Sequence, residues 1–211
     1  MRLYFVVIFL IISGSCGNRN YNSRKEIALN QENKIKDDSS LQNINNEPTK
    51  FILDSAKLYS AFPDELKVYI NINLSVLSLP SLANYYDGWY NFYDELSLPF
   101  FASGDLNGDK INDYATLLIK DNKIYLYVFL LENDKIVTHK KLNESSLSKY
   151  NNIIPIGLFI EERGVNLNLA FEEKELYLEY DALVYSIFET SSKLYYYNAP
   201  TRTFKEYAFT D

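Results

Sequence analysis

Cysteine is almost missing, since Cys16 is the only one in 211 residues. Such a chain can form neither an intramolecular disulfide nor a Cys-rich zinc site, so packing must supply its stability. Histidine is as scarce. His139 stands alone among Val137, Thr138, Lys140 and Lys141, and it reads as a solvent-facing strand residue because no convergent group can be named beside it. No cluster of Lys and Arg alternates with aromatics, and the formal net charge is -7. A field of that sign opposes binding to phosphate backbones, so nucleic acid is not an expected partner. Also missing are an apolar run of the ~20 residues that span hydrocarbon and any internal repeat at solenoid or propeller periods.

What is present suffices for one core. The hydrophobic fraction is 47% and the aromatic fraction 16%, and a chain lacking such apolar surface could not offset its conformational entropy. The length suits one domain of ordinary size.

The first residues follow the order of a secretory signal: basic Met1-Arg2, an apolar run over 3–12, then small Ser13-Gly14-Ser15 before Cys16. The run is too short for a permanent span. Ser13-Gly14-Ser15-Cys16-Gly17 resembles the lipobox of bacterial lipoproteins, with Ser13 where Leu is usual. The resemblance implies that the Cys16 thiol is alkylated by diacylglycerol and becomes the new N-terminus after cleavage. Acyl chains of the palmitate type would then hold the exported protein to a membrane of the bacterial cell envelope. Cleavage by the ordinary signal peptidase, with simple secretion, is the alternative.

After the leader, residues 17–49 are rich in Asn, Lys, Ser, Glu, Asp and Gln, with Tyr21 the only aromatic. This composition predicts a disordered tether reaching about 30 Å; folding onto the domain is the other reading. The expected organisation is a signal peptide over 1–15, a lipid-anchored tether over 16–49 and one β-rich domain over 50–211.

Within that domain, residues 51–62 read as a helix, and Pro63-Asp64-Glu65 as the start of a second. Leu66, Val68, Ile70, Ile72, Leu74 and Val76 alternate with less apolar residues, which is a strand period, yet the Pro-Asp-Glu opening favours a short helix. Strands are expected over 114–119, 123–131, 135–142, 156–160, 165–171, 176–180, 183–188, 194–197 and 204–209. Asp121-Asn122 and Asn133-Asp134 supply hairpin turns, and Arg163-Gly164 and Asn198-Ala199-Pro200 mark further breaks. The expected fold class is α+β and predominantly β, with short N-terminal helices packed on one antiparallel meander-type sheet.

One segment carries chemistry. Asp105-Leu106-Asn107-Gly108-Asp109-Lys110-Ile111-Asn112-Asp113 places side-chain oxygens at positions 1, 3, 5 and 9 and a carbonyl at 7. Ca²⁺ takes six to eight oxygen ligands at about 2.3 to 2.6 Å, and a tight loop with acids at alternate residues can wrap one ion. The segment resembles the Asp-x-Asn-x-Asp-x-x-x-Asp loop of FG-GAP and VCBS-type repeats, with Phe101-Ala102-Ser103-Gly104 before it and Tyr114-Ala115-Thr116-Leu117-Leu118 after. The resemblance implies Ca²⁺ as cofactor, with Asp105, Asn107, Asp109 and Asp113 as side-chain ligands and Ile111 giving its carbonyl. Lys110 stands where the family prefers Gly, which costs roughly 1 kcal/mol if the position needs positive φ. Thr116 at position 12 excludes an EF-hand, which requires a bidentate Glu there. A metal-free polar turn feeding the next strand is the competing interpretation.

The aromatic run holding Tyr86, Trp89 and Tyr93 is read mainly as core, and alternatively as a ligand platform. Carboxylates at Glu161, Glu162, Glu172, Glu173 and Glu175 read as solvated charge near turns. The expectation is an exported, membrane-tethered, non-enzymatic lipoprotein with a calcium-stabilised loop, partnered by another envelope protein or a glycan. The alternative is a glycan-binding or carbohydrate-active protein using the Trp89 region and nearby carboxylates.

Overall fold

The computed structural model divides into Met1–Lys50 and Phe51–Asp211, and it describes residues 59–86, 88–89, 97–169 and 175–209. The expected leader, Cys16 and tether lie outside the described residues. Among the described residues no helix is long and apolar enough to cross a membrane.

The one α-helix that lies wholly among the described residues, α1, spans Asp64–Asn73. Pro63 precedes it with φ -58°, a value proline fixes in advance, and Asp64 and Glu65 place negative charge at its first turn. The ambiguous alternation resolves into two faces of this helix. Leu66 and Ile70, four apart, are buried, while Val68 and Ile72 are 56% and 73% exposed. Leu74 N–H still donates to Ile70 O at 2.8 Å before the chain turns away.

The rest is antiparallel sheet. β1 (Phe101–Gly104), β2 (Asp113–Lys120), β3 (Lys123–Glu132) and β4 (Lys135–Ser146) form a meander in that order. Asp121 and Asn122 have φ 47° and 60°, and Asn133 and Asp134 have 51° and 58°. Two successive left-handed residues are what the type I′ hairpin turn demands, and Asn and Asp adopt that region most readily. β5 (Ile156–Glu161) opens the second half, followed by the short pair β6 (Asn166–Asn168) and β7 (Glu175–Tyr177). β8 (Ala182–Ile187), β9 (Ser191–Asn198) and β10 (Thr203–Phe209) then join β5 in a second four-stranded sheet, ordered β10-β9-β8-β5.

Register decides which faces meet. Ala102 pairs with Ala115 and Ala115 with Val128, so these share a face with Leu117, Leu126 and Asn143 two residues along. From that face Asn143 Nδ2 donates to Tyr195 Oη at 2.7 Å, and Ser145 Oγ lies 3.4 Å from Tyr185 Oη. The first sheet therefore packs face to face on the second, around a core that includes Leu117, Leu126, Val128, Leu158, Leu183, Tyr185 and Tyr195. On the opposite face of the first sheet Tyr114, Phe129 and His139 align. There the Tyr69 ring of α1 meets Phe129 edge-on at 5.8 Å, and Tyr69 Oη is hydrogen-bonded to His139 Nδ1 at 3.0 Å. A second core of Leu169, Leu178, Ala182, Val184, Leu194 and Phe209 covers the other side of the second sheet.

Three expectations change. The fold is predominantly β with antiparallel sheets, as expected, but the described residues form two packed four-stranded sheets and a separate two-stranded pair where one sheet was expected. Of the short N-terminal helices expected, α1 alone lies wholly among the described residues; most of the helix expected over 51–62 lies outside them, and its described residues Tyr59 and Ser60 are helical. His139 is half-buried among Tyr69, Tyr127 and Phe129 rather than facing solvent, because α1 covers that face.

Candidate functional site

The segment 105–113 connects β1 to β2, and both its ends are fixed by the sheet. Gly104 pairs with Asp113 across the strands, so the chain leaves and re-enters at one point. Leu106 is fully buried and pins the loop to the core.

Every acidic side chain in the loop then turns onto backbone N–H groups. Asp105 Oδ1 accepts from Gly108 N–H at 2.8 Å, and its Oδ2 accepts from Lys110 N–H at 3.1 Å. Asn107 Oδ1 accepts from Asp109 N–H at 2.9 Å, and Asp109 Oδ1 from Ile111 N–H at 2.8 Å. Asn107 Nδ2 donates to Asp109 Oδ2 at 3.1 Å. Asp113, fully buried, accepts from Leu131 N–H at 2.9 Å and Leu106 N–H at 3.2 Å. These bonds wind the odd-numbered residues around a common turn. The winding needs left-handed backbone at two places, and it is found at Gly108 (φ 84°) and Lys110 (φ 72°).

Two residues from the second half of the chain complete the site. Asp181 Oδ2 accepts from Asp105 N–H at 2.9 Å, its Oδ1 accepts from Arg163 N–H at 3.1 Å, and its own N–H donates to Asp105 O at 3.1 Å. Arg163 Nη1 donates to Asp105 Oδ2 at 3.2 Å. Asp105, Lys110, Asn112, Glu162, Arg163 and Asp181 line a polar recess of about 460 Å³. Neither Arg163 nor Asp181 stood out in the sequence beyond Arg163-Gly164 as a break, because no local pattern shows a pairing between distant segments.

Burial pushes the Asp113 carboxyl up to about 7, and the negative charges of Asp109 and Asp105 add to the rise; the N–H bonds from Leu131 and Leu106 oppose it. A carboxylate so placed gains from any nearby cation. The donors suit a hard cation in kind, with three carboxylates, an amide and a carbonyl in the order such an ion needs. In arrangement, no three His, Cys, Asp or Glu side chains converge as a metal-holding group among the described residues. Asp105 Oδ2 faces a guanidinium instead.

Of the aromatic residues that the alternative relies on, Trp89 turns into the core. Trp89 is buried at 3% exposure, with its ring 5.5 Å from Phe159 and 5.3 Å from Phe188. A ring committed to the core has no free face for a ligand. Tyr86 is 41% exposed and lines a separate recess of about 400 Å³ with Lys149, Tyr150 and Phe188. Tyr93, Glu172 and Glu173 lie outside the described residues. No protein-family model, curated protein or solved structure matches the chain.

Proposed function

We propose that this chain is an exported, lipid-anchored envelope protein without an enzymatic role, whose β domain binds Ca²⁺ at the 105–113 loop and meets another envelope molecule. The observation that carries the calcium reading is the winding of the loop. Asp105, Asn107, Asp109, Ile111 and Asp113 follow one another around a turn whose left-handed positions fall at Gly108 and Lys110. Ca²⁺ there would tie the loop's exposed middle to β2 and relieve the mutual repulsion of its carboxylates. The anchor reading is supported by the leader ending at the chain's only cysteine. The non-enzymatic reading is supported by the packing of His139 beneath α1, where it faces ring carbons and one phenol.

Each half has its own test. Melting of the full chain in Ca²⁺ is expected to rise over melting in chelator, by the linkage between ligand and folded state. The rise should vanish in Asp109→Ala. No rise in the wild type, or an equal rise in the variant, would remove the ion. Cells fed a radiolabelled fatty acid should label the wild-type protein and not Cys16→Ser; equal labelling of both, or none of either, would remove the anchor.

A further inference from the structure

We propose that a second recess, lined by Tyr86, Lys149, Tyr150, Ile153, Pro155 and Phe188, binds a small organic acid: an apolar body carrying one carboxylate. The inference stands apart from the calcium and anchor readings. The recess measures about 400 Å³, within the roughly 300–1,000 Å³ of pockets that take small ligands. Backbone bonds set its walls. Tyr86 N–H donates to Ile154 O at 3.1 Å, Phe188 N–H to Pro155 O at 2.8 Å and Ile153 N–H to Tyr150 O at 2.9 Å. The Tyr86 and Phe188 rings then meet at 4.8 Å. A ligand would find this shape already made, without the entropy cost of ordering it. Yet Tyr86 and Ile153 stay 41% and 46% exposed, so apolar surface on a fixed wall is left to water.

Charge sets the other end of the ligand. Lys149 is the one charged side chain among the described lining residues. Its Nζ lies 5.6 Å from the centre of the Tyr150 ring and makes no ion pair among the described residues, although acids outnumber Lys and Arg by 28 to 21 in the chain. A ring face attracts an ammonium but leaves its N–H donors open for an anion. The Tyr86 and Tyr150 hydroxyls have no hydrogen-bond partner among the described residues and are further donors at the same recess. One positive charge matches one carboxylate. A phosphate dianion would bring a second charge against Ile153, Pro155 and Phe188, with nothing there to pair it.

The test is titration of the isotope-labelled full chain with 3-phenylpropionate and with its amide, which keeps the body and removes the charge. The readout is the δ-methyl resonances of Ile153 and Ile187, which both line the recess. The acid is expected to move both resonances with a Kd of about millimolar order, and to bind about two- to five-fold more tightly than the amide. Lys149 is exposed, and melting checks that Lys149→Gln folds. That variant is expected to lose the preference for the acid and to bind the amide as the wild type does. Resonances that stay fixed at about 20 mM acid, well above that constant, overturn the recess as a binding site. Equal binding of acid and amide by the wild type, or a preference that survives in Lys149→Gln, overturns the assignment to an organic acid. Each of these results leaves the calcium and anchor readings where they stand.

Discussion

Lys110 holds its backbone at φ 72° and Gly108 at φ 84°. At the first, a side chain with a Cβ sits where L-residues lose about 1 kcal/mol. At the second, a Cβ would also come within 2.8 Å of the Tyr180 ring. The two positions therefore predict opposite signs. Lys110→Gly is expected to stabilise the protein by up to about 1 kcal/mol, and Gly108→Ala to destabilise it by roughly 1–3 kcal/mol. Thermal denaturation in chelator compares them. A less stable Lys110→Gly or an unaffected Gly108→Ala would show that the loop is not wound this way. The donor order at 105, 107, 109 and 113 was legible in the sequence because those residues are close neighbours along the chain. Asp181 and Arg163 were not, because they reach Asp105 across separations of 76 and 58 residues.

Elements were legible wherever a local rule governed them. Asp121-Asn122 and Asn133-Asp134 placed the hairpins because type I′ turns favour those residues. β1 was missed: Phe101-Ala102-Ser103-Gly104 is four residues long and reads as the lead-in to the loop. Alternation located most of the strands without saying which sheet each joins. The passage between sheets comes after β4, at the 3-10 turn Leu147–Tyr150 and at Asn151 and Asn152, whose φ values are 52° and 62°. The small β6–β7 pair likewise acquires its purpose only from the second core. Leu178 extends that pairing through bonds to Gly164 and Val165, and it is fully buried in the core with Val184 and Leu194. Leu178→Ala is expected to cost about 2–5 kcal/mol in urea denaturation. A loss under about 1 kcal/mol would mean that this layer does not fold with the sandwich.

At the scale of the whole molecule, two sheets with both outer faces partly covered make a rigid support, and the loop sits where the first sheet passes the second. Gly104 lies in that passage, where a Cβ would be 3.1 Å from Ile160 and 3.0 Å from Asp181 Oδ2. Such crowding, with the bond from Asp105 N–H to Asp181 Oδ2, holds the start of the loop against the second half of the chain. Face-to-face packing of this kind follows from the total of paired strands and buried tyrosines, such as Tyr185 and Tyr195, which no single window of sequence contains. The most direct measurement is a crystal structure grown in Ca²⁺. The expected result is one ion bound at about 2.4 Å by Asp105, Asn107, Asp109, the Ile111 carbonyl and Asp113. A loop free of ion at saturating Ca²⁺ would contradict it.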